Sequence, residues 1–354
     1  MSSNNYQLKV KEVVNETKDA VTVVFENPAE GALTYKPGQF LTLIFSLEGE
    51  SVRRAYSLCS APSIDAQPAV TVKRVEGGKV SNHINDHVKA GDTIEVMAPA
   101  GVFTADVNKK NKRHVVLFAG GSGITPMMSI MQTVLNTESS AVVSLVYANR
   151  DEESIIFKDK IDGLKAKYGK QLNIVHVLEN PPAGWSGYSG RLTPDLVQAI
   201  LKSLPKKLFK PREYFMCGPA GMMEQIEVTF QKYKLPKDKL RKESFTASLD
   251  DAKKGAANDV EGIVEREVTI IYSGDEHKIT VKPSESILDA ALDANIDLPF
   301  SCQSGICTSC MGRCTSGKVY MDEEDSLSPK EIEQGHVLTC VGHPLTADVV
   351  IEVD

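Results

Sequence analysis

Short runs of β-branched and aromatic residues dominate the first part of the chain. Between residues 6 and 105 such runs occur at 21–25, 40–45 and 70–75, and turn-forming Gly and Pro residues separate them. Short, frequent strands joined by tight turns are typical of antiparallel barrels. The pattern therefore predicts an antiparallel β-barrel over residues 1–108.

From residue 114 the apolar runs become continuous and alternate with helical segments. Continuously apolar strands indicate burial on both faces, as in a parallel sheet covered by helices. Pro126 suits the first position of the helix that comes after the first of these strands. We therefore predict an α/β domain with a parallel sheet over residues 109–245. Its expected strands are residues 114–120, 141–148, 173–178 and 213–218.

A polar stretch rich in small residues occupies positions 246–264, and we predict that it is a linker. Beyond it, residues 265–354 indicate a separate α+β domain. A hairpin is expected around the turn Ser273-Gly274-Asp275, and Ser284 can cap the next helix.

Length and charge narrow the range of functions. A chain of 354 residues is expected to form two or three domains. The net charge of −7 argues against nucleic-acid binding. No apolar run is long enough to predict a membrane span, and the N-terminus lacks the apolar stretch of a secretory signal. We therefore expect a cytoplasmic protein with no membrane partner.

The acidity is concentrated in the C-terminal domain. Residues 265–354 hold 17 Asp and Glu against 6 Lys and Arg, a net charge of −11, whereas the remaining residues carry +4. A solvated surface explains any single acidic residue. For the domain as a whole, an electrostatic docking face is the second interpretation.

Four of the seven cysteines lie between residues 302 and 314. Cys302, Cys307 and Cys310 follow the pattern C-x4-C-x2-C, and Cys340 comes after 29 intervening residues. Plant-type ferredoxins use this spacing to hold a [2Fe–2S] cluster. These four cysteines are the predicted ligands. A structural zinc site and a set of unrelated buried thiols are the alternatives, and Cys314 is expected to fill the core.

Four short motifs are informative as a set, because of the order in which they occur along the chain. They are RAYS (54–57), KVSN (79–82), the glycine-rich turn GGSGITP (120–126) and CGP (217–219). The glycine-rich turn alone is a weak signal, because the third glycine of the dinucleotide fingerprint is replaced by Pro126. Together, the motifs resemble the ferredoxin–NADP reductase superfamily, in which a flavin barrel precedes a nicotinamide domain. The resemblance of the last domain is to the β-grasp fold of ferredoxins.

The resemblance implies a set of flavin contacts. Arg54 would pair with the FAD pyrophosphate, Tyr56 would pack on the flavin ring, and Ser57 would lie near its N5 atom. A second flavin segment is implied at the start of a helix, where backbone N–H groups hold the pyrophosphate. Its residues are Gly78, Lys79, Val80 and Ser81. One reductase of this domain order uses FMN, which remains the alternative to FAD.

The nicotinamide contacts are implied in the same way. Gly121, Gly123 and Thr125 would bind the NAD(P) pyrophosphate. Cys217, Gly218 and Pro219 would lie at the nicotinamide, and Glu243 and Phe245 would reach back toward the flavin ring. Tyr56, Ser57 and Cys217 are the residues expected to take part in catalysis.

The choice of nucleotide depends on the residues that come after the second strand of the α/β domain. Arg150 favours the 2′-phosphate of NADPH, whereas the adjacent Asp151 and Glu152 weaken that prediction and leave NADH open.

The domain order resembles the reductase components of multicomponent oxygenases, and most closely the reductase subunits of ring-1,2-phenylacetyl-CoA epoxidases. This resemblance implies an oxidoreductase that passes electrons from NADPH to FAD, then to a [2Fe–2S] cluster and then to a di-iron oxygenase of phenylacetate catabolism. The alternatives are a stand-alone diaphorase or flavin reductase, and the reductase of a Rieske dioxygenase or desaturase.

Overall fold

The computed structural model describes three successive domains, each built around its own β-sheet, and it confirms the fold class predicted from the sequence. The residues described are 5–29, 31–62, 64–205, 211–245, 262–300, 303, 305, 307–322, 326–327 and 329–353. Within these residues, no helix has both the length and the apolar character needed to cross a bilayer. Most of the predicted linker, residues 246–261, lies outside the described residues.

The first domain is a six-stranded antiparallel barrel with strand order β4-β3-β6-β1-β2-β5. A bridge between Leu58 and Val70 joins the two ends of this order and closes the barrel. Its interior is filled by Val, Leu, Ile and Phe side chains. The elements are β1 (Asn5–Thr17), β2 (Ala20–Phe25), β3 (Phe40–Leu47), β4 (Glu50–Ser57), β5 (Ala69–Lys73), α1 (Lys79–His87) and β6 (Thr93–Met97).

The second domain is a parallel sheet with strand order β10-β9-β8-β7-β11-β12. The chain starts at β7, builds outward to β10 and then returns to the other side of β7. A crevice therefore forms at the carboxyl ends of β7 and β11, which is where such sheets bind ligands. The elements are β7 (His114–Gly120), α2 (Ile124–Thr137), β8 (Val142–Asn149), α3 (Lys158–Tyr168), β9 (Leu172–Leu178), β10 (Tyr188–Ser189), α4 (Pro194–Ser203), β11 (Arg212–Cys217), α5 (Ala220–Lys232) and β12 (Leu240–Glu243).

The barrel and the parallel sheet are packed against each other. Phe103 of the barrel meets Phe215 of β11 edge-on, with ring centroids 5.6 Å apart. Ser129 of α2 donates a hydrogen bond of 2.6 Å to the carbonyl of Ser60. One continuous apolar cluster includes Phe103 and the core of α2, so the two domains present a fixed crevice to ligands.

The third domain has a five-stranded mixed sheet with strand order β14-β13-β19-β15-β17, together with a small β16-β18 pair. Strands β13 and β19 are parallel, and the other pairs in the five-stranded sheet are antiparallel. Its apolar core is separate from those of the other two domains. The elements are β13 (Arg266–Tyr272), β14 (Asp275–Val281), α6 (Ile287–Asp293), β15 (Met311–Ser316), β16 (Val319–Met321), α7 (Pro329–Glu333), β17 (His336–Leu338), β18 (Gly342–Pro344) and β19 (Val350–Val353).

Two expected helix starts were wrong. The cap of α6 is Ser286, not Ser284, because Ser286 and Asp289 form a reciprocal capping box. Helix α2 begins at Ile124, two residues before Pro126, because a turn of 3₁₀-helix at 121–123 leads directly into it.

We expect Arg113→Ala to lower the melting temperature sharply. The Arg113 side chain is 5% exposed and bonds both oxygens of Glu138, whose side chain is fully buried, at 2.8 and 3.1 Å. It also bonds Glu213 at 2.6 Å. Removing one partner of a buried ion pair typically costs about 3–5 kcal/mol. Scanning calorimetry measures the shift, and the exposed Arg191, paired with Glu179, is the matched control. An unchanged melting temperature in R113A would contradict this prediction.

Candidate functional site

The three residues of the first flavin motif lie at the end of β4. Arg54 and Tyr56 face Leu43 and Leu41 of β3, and Ser57 faces Phe40. The Nη1 atom of Arg54 donates to the carbonyl of Arg53 at 2.7 Å. Burial raises the pKa of Tyr56 above its ordinary value, so this side chain remains a neutral phenol. A guanidinium and a neutral aromatic ring on one strand fit the phosphate and the ring of a flavin.

The second flavin segment forms the start of α1. Gly78 is the residue before the helix, and Lys79, Val80 and Ser81 form its first turn. The hydroxyl of Ser81 accepts a hydrogen bond from the Val75 amide at 3.1 Å and fixes the loop that enters the helix. A Cβ atom on Gly78 would lie 2.6 Å from that hydroxyl. A side chain on Gly78 would therefore displace the Ser81 hydroxyl from the Val75 amide, and the helix start is suited to an anion.

Three separate strands, β4, β11 and β12, each contribute one residue to a small group: Ser57, Cys217 and Glu243. The Ser57 hydroxyl donates to Oε2 of Glu243 at 3.2 Å. Glu243 and Cys217 are neighbours in the register of β12 and β11. Burial raises the pKa of Glu243 to about 8, although the hydrogen bond from Ser57 partly opposes the shift. Burial and then the nearby Glu243 also raise the pKa of the Cys217 thiol, so near neutral pH the group has little negative charge.

The glycine-rich turn after β7 is in direct contact with the Cys-Gly-Pro turn after β11. A Cβ on Gly123 would lie 2.0 Å from the carbonyl oxygen of Cys217, and one on Gly120 would lie 2.7 Å from Pro219. Gly121 has φ +51°, a conformation that favours glycine. These close approaches leave bare backbone at the crevice between β7 and β11. Backbone of this kind at the start of a helix fits a pyrophosphate.

Other parts of the turn are held by local hydrogen bonds. Thr125 is buried, and its hydroxyl donates to the carbonyl of Ser122 at 3.0 Å. The Tyr147 hydroxyl donates to the carbonyl of Gly121, also at 3.0 Å. Phe245, just beyond β12, is 40% exposed.

Lys73 is a cation at this crevice that sequence reasoning missed. It ends β5 of the barrel, and its Nζ atom would lie 3.6 Å from a Cβ on Gly121. The only sequence signal is its place in a strand rich in valine, which does not distinguish it from a solvent-exposed lysine. Its position adds positive charge where a phosphate group would bind.

Three of the four predicted cluster ligands lie in the described part of the chain, and Cys302 lies outside it. Cys307, Cys310 and Cys340 are at most 7% exposed. Thr339 connects two of them, because its amide and its hydroxyl both donate to the carbonyl of Cys310 at 3.1 and 3.0 Å. No complete group of three or more His, Cys, Asp or Glu ligands occurs among the described residues. Buried thiols from two distant segments are the donors that an iron–sulfur cluster requires.

Cys314 is positioned differently from these three. It lies in β15, opposite Ile351, and is partly buried against the core of the third domain. Its thiol donates to the carbonyl of Ser316 at 3.1 Å.

A cleft of about 1020 Å³ is lined both by residues that adjoin the flavin motif and by residues of the cysteine loop. On one side it is lined by Phe40, Glu243 and Ser244, which adjoin the flavin motif. On the other side it is lined by Gly305 and Cys307 of the cysteine loop. The structure thus brings Glu243, which is expected to reach toward the flavin ring, and Cys307, a predicted cluster ligand, to one space between the domains.

Three family models match the chain, one for each domain. The Oxidoreductase FAD-binding domain matches residues 7–105, the Oxidoreductase NAD-binding domain matches 117–227, and the 2Fe-2S iron-sulfur cluster binding domain matches 270–345. Fold and site together define a nicotinamide-dependent iron–sulfur flavoprotein reductase with FAD, a [2Fe–2S] cluster and a nicotinamide nucleotide as cofactors.

Relatives of known role match over almost their whole length. The chain is 35% identical to one subunit of the 1,2-phenylacetyl-CoA epoxidase from Escherichia coli, over 99% of this chain and 98% of that protein. It is 38% identical to the ferredoxin reductase component of 3-ketosteroid-9-alpha-monooxygenase from Rhodococcus rhodochrous, over 99% and 97%. The chain belongs to this family of oxygenase reductase components.

A solved structure supports the same fold. Phthalate dioxygenase reductase superposes with a TM-score of 0.60 at 24% identity, over 99% of this chain and 98% of that one. The agreement extends across all three domains.

Proposed function

We propose that this chain accepts a hydride from NADPH and delivers single electrons to the oxygenase component of a phenylacetyl-CoA epoxidase. When bound beside β4 and α1, FAD would supply the conversion of a two-electron donation into one-electron transfers, and a [2Fe–2S] cluster held by the four cysteines would supply a one-electron carrier. The observation that supports the proposal is that Glu243, Ser244 and Cys307 line one cleft, so the end of β12 and the cysteine loop border the same space.

In this proposal the residues of the chain bind and orient the groups that react. Arg54 and the start of α1 neutralise the flavin pyrophosphate, and Tyr56 supports the ring. The crevice between β7 and β11 binds the nucleotide pyrophosphate, with Lys73 as an added cation. Ser57 and the protonated Glu243 keep the reacting face free of negative charge.

The same proposal covers the division of the chain and its location. We assign residues 1–108 to flavin binding, 109–245 to nucleotide binding, 246–264 to a linker and 265–354 to the cluster. Cys302 completes the ligand set with Cys307, Cys310 and Cys340. The clustered cysteines and the NADPH donor support a reducing, cytoplasmic location.

A second acceptor is supported by one specific observation. Identity to the ketosteroid monooxygenase reductase component is 38%, against 35% for the epoxidase relative. An oxygenase of the 3-ketosteroid-9-alpha-monooxygenase kind is therefore the alternative partner.

The test pairs the purified holoprotein with each oxygenase component in turn. We expect two equivalents of a one-electron acceptor to be reduced for each NADPH oxidised. We also expect substrate to be oxidised when the epoxidase component is added, but not when the ketosteroid component is added. Turnover with the ketosteroid component instead would favour the second partner. Activity on free flavin, with turnover of neither oxygenase, would show a stand-alone diaphorase.

We expect Arg150→Ala to raise the KM for NADPH about tenfold, the usual effect of losing one charge-assisted phosphate contact. Arg150 lies just past β8 and is exposed, and its Nε atom contacts Asp151 at 3.3 Å. The guanidinium is thus available at the strand end where a 2′-phosphate is recognised. Steady-state kinetics should show an unchanged KM for NADH, and Arg191→Ala should change neither value. Equal effects on both nucleotides would argue against a 2′-phosphate contact.

A further inference from the structure

Arg53 connects the flavin barrel to the cluster domain. Its Nη2 atom lies 3.1 Å from Oδ1 of Asp297, and its guanidinium carbon lies 4.4 Å from the centre of the Phe300 ring. The Arg53 side chain is only 15% exposed, whereas that of Asp297 is 74% exposed. One side chain therefore makes a charged contact and a stacking contact across the domain boundary.

Both ends of this contact adjoin groups that must exchange electrons. On the barrel side, Arg53 precedes Arg54 in β4, and its carbonyl accepts the hydrogen bond from Arg54. On the other side, Phe300 stands two residues before Cys302 in the sequence. The same strand that carries the flavin motif thus contacts the segment that leads into the cysteine loop.

The cluster domain needs such a contact because its apolar core is its own. The core of the barrel and the core of the third domain share no residue. Opposite net charges, −11 on residues 265–354 and +4 on the rest, attract the two parts without fixing an orientation. Arg53 can fix it, because a planar guanidinium stacks on a ring and pairs with a carboxylate at the same time.

We propose that Arg53 is a positioning residue that docks the cluster domain against the flavin barrel and so sets the rate of electron transfer from flavin to cluster. This inference rests on the proposed function. Substitution of Arg53 leaves its own carbonyl, and hence the hydrogen bond from Arg54, in place, so we expect hydride transfer to be unchanged.

The experiment follows the full-length holoprotein in a stopped-flow spectrophotometer after mixing with NADPH. In Arg53→Ala we expect cluster reduction to slow about tenfold, the combined effect of losing an ion pair and a cation–π contact. Arg53→Lys should fall between parent and R53A, because it keeps charge but loses stacking. Flavin reduction should keep the parent rate in both variants.

A charge exchange tests orientation directly. Arg53→Asp combined with Asp297→Arg should recover part of the lost rate, whereas each single change should not. Small-angle X-ray scattering gives a readout independent of activity, and the maximum dimension should increase in R53A and decrease again in the exchanged pair. Lys278→Ala is the matched control, because it breaks the exposed Lys278–Glu267 pair within the cluster domain.

The measurements distinguish failure of the docking role from failure of the proposed function. A parent rate and a parent scattering curve in R53A would overturn the docking role. If R53A does not fold, Asp297→Asn takes its place, since Asp297 is largely exposed, and an unchanged rate and dimension there would equally overturn it. If the parent protein itself shows no transfer from flavin to cluster, the proposed function fails instead.

Discussion

Replacing Cys340 with alanine is expected to abolish electron delivery to the acceptor, at least about 100-fold, while NADPH still reduces the flavin. Loss of a supporting residue near a metal commonly costs 10–100-fold, and loss of a ligand should cost more. Cys340 is 7% exposed and comes directly after Thr339, which is bonded to Cys310. Visible absorption and electron paramagnetic resonance should show no cluster, whereas ferricyanide reduction at the flavin should persist.

Cys314→Ala is the matched control for this experiment. Cys314 lies only four residues from Cys310, but its thiol bonds the carbonyl of Ser316. We expect C314A to keep a full cluster signal and the parent rate. A cluster retained in C340A, or lost in C314A, would show that the ligand set is wrong.

The rate of flavin reduction is expected to fall as the pH rises through about 8, and Glu243→Gln should remove that dependence. Below this pH the buried carboxyl holds a proton, since burial raises its pKa from 4.5 to about 8. Above it, a carboxylate would repel the negative charge that a hydride brings. At about 5 Å and an effective dielectric constant of ~20, such repulsion is about 3.3 kcal/mol, which corresponds to roughly a 300-fold change in rate. Single-turnover kinetics across this pH range measure the effect.

The same group should affect stability with a defined sign. Between about pH 4.5 and about pH 8 the native state retains a proton that the unfolded state has released. Its contribution to stability is therefore full below the lower value and is lost as the pH rises through the higher one.

Glu227→Gln is the matched control, because Glu227 lines the same cleft but has a side chain that is 45% exposed and contacts Lys242 at 3.5 Å. It should leave the pH profile intact. A profile in E243Q identical to that of the parent would assign the pH dependence to another group.

The local sequence pattern was sufficient to predict an element where one physical cause dominates. The strand at 114–120 has the same bounds in sequence and structure, because every residue in it is buried and the run after His114 is apolar without a gap. The turn at Ser273 and Gly274 was predictable because glycine accepts the positive φ of a two-residue hairpin loop, and both residues do have positive φ.

The local pattern could not predict which of two similar residues, close together in the sequence, takes a given structural role. Ser284 and Ser286 are both suitable caps, and the reciprocal bond with Asp289 decides between them. Arg53 and Arg54 are adjacent and chemically identical, so the sequence motif accounts for one of them and says nothing about the other. The hydrogen bond between Ser57 and Glu243 joins strands from two domains, so no local pattern contains it.

The placement of β19 has a consequence for how the cluster domain is made. This strand lies in the middle of its sheet, between β13 and β15, and pairs Thr269 with Val350 across some eighty residues of sequence. Pairing over such a separation is slow, because loop closure must precede any gain from contact. When the cysteine loop of a nascent chain has been synthesised, the central strand β19 of the sheet that supports this loop is therefore still missing. Iron and sulfide are thus best inserted after synthesis rather than during it.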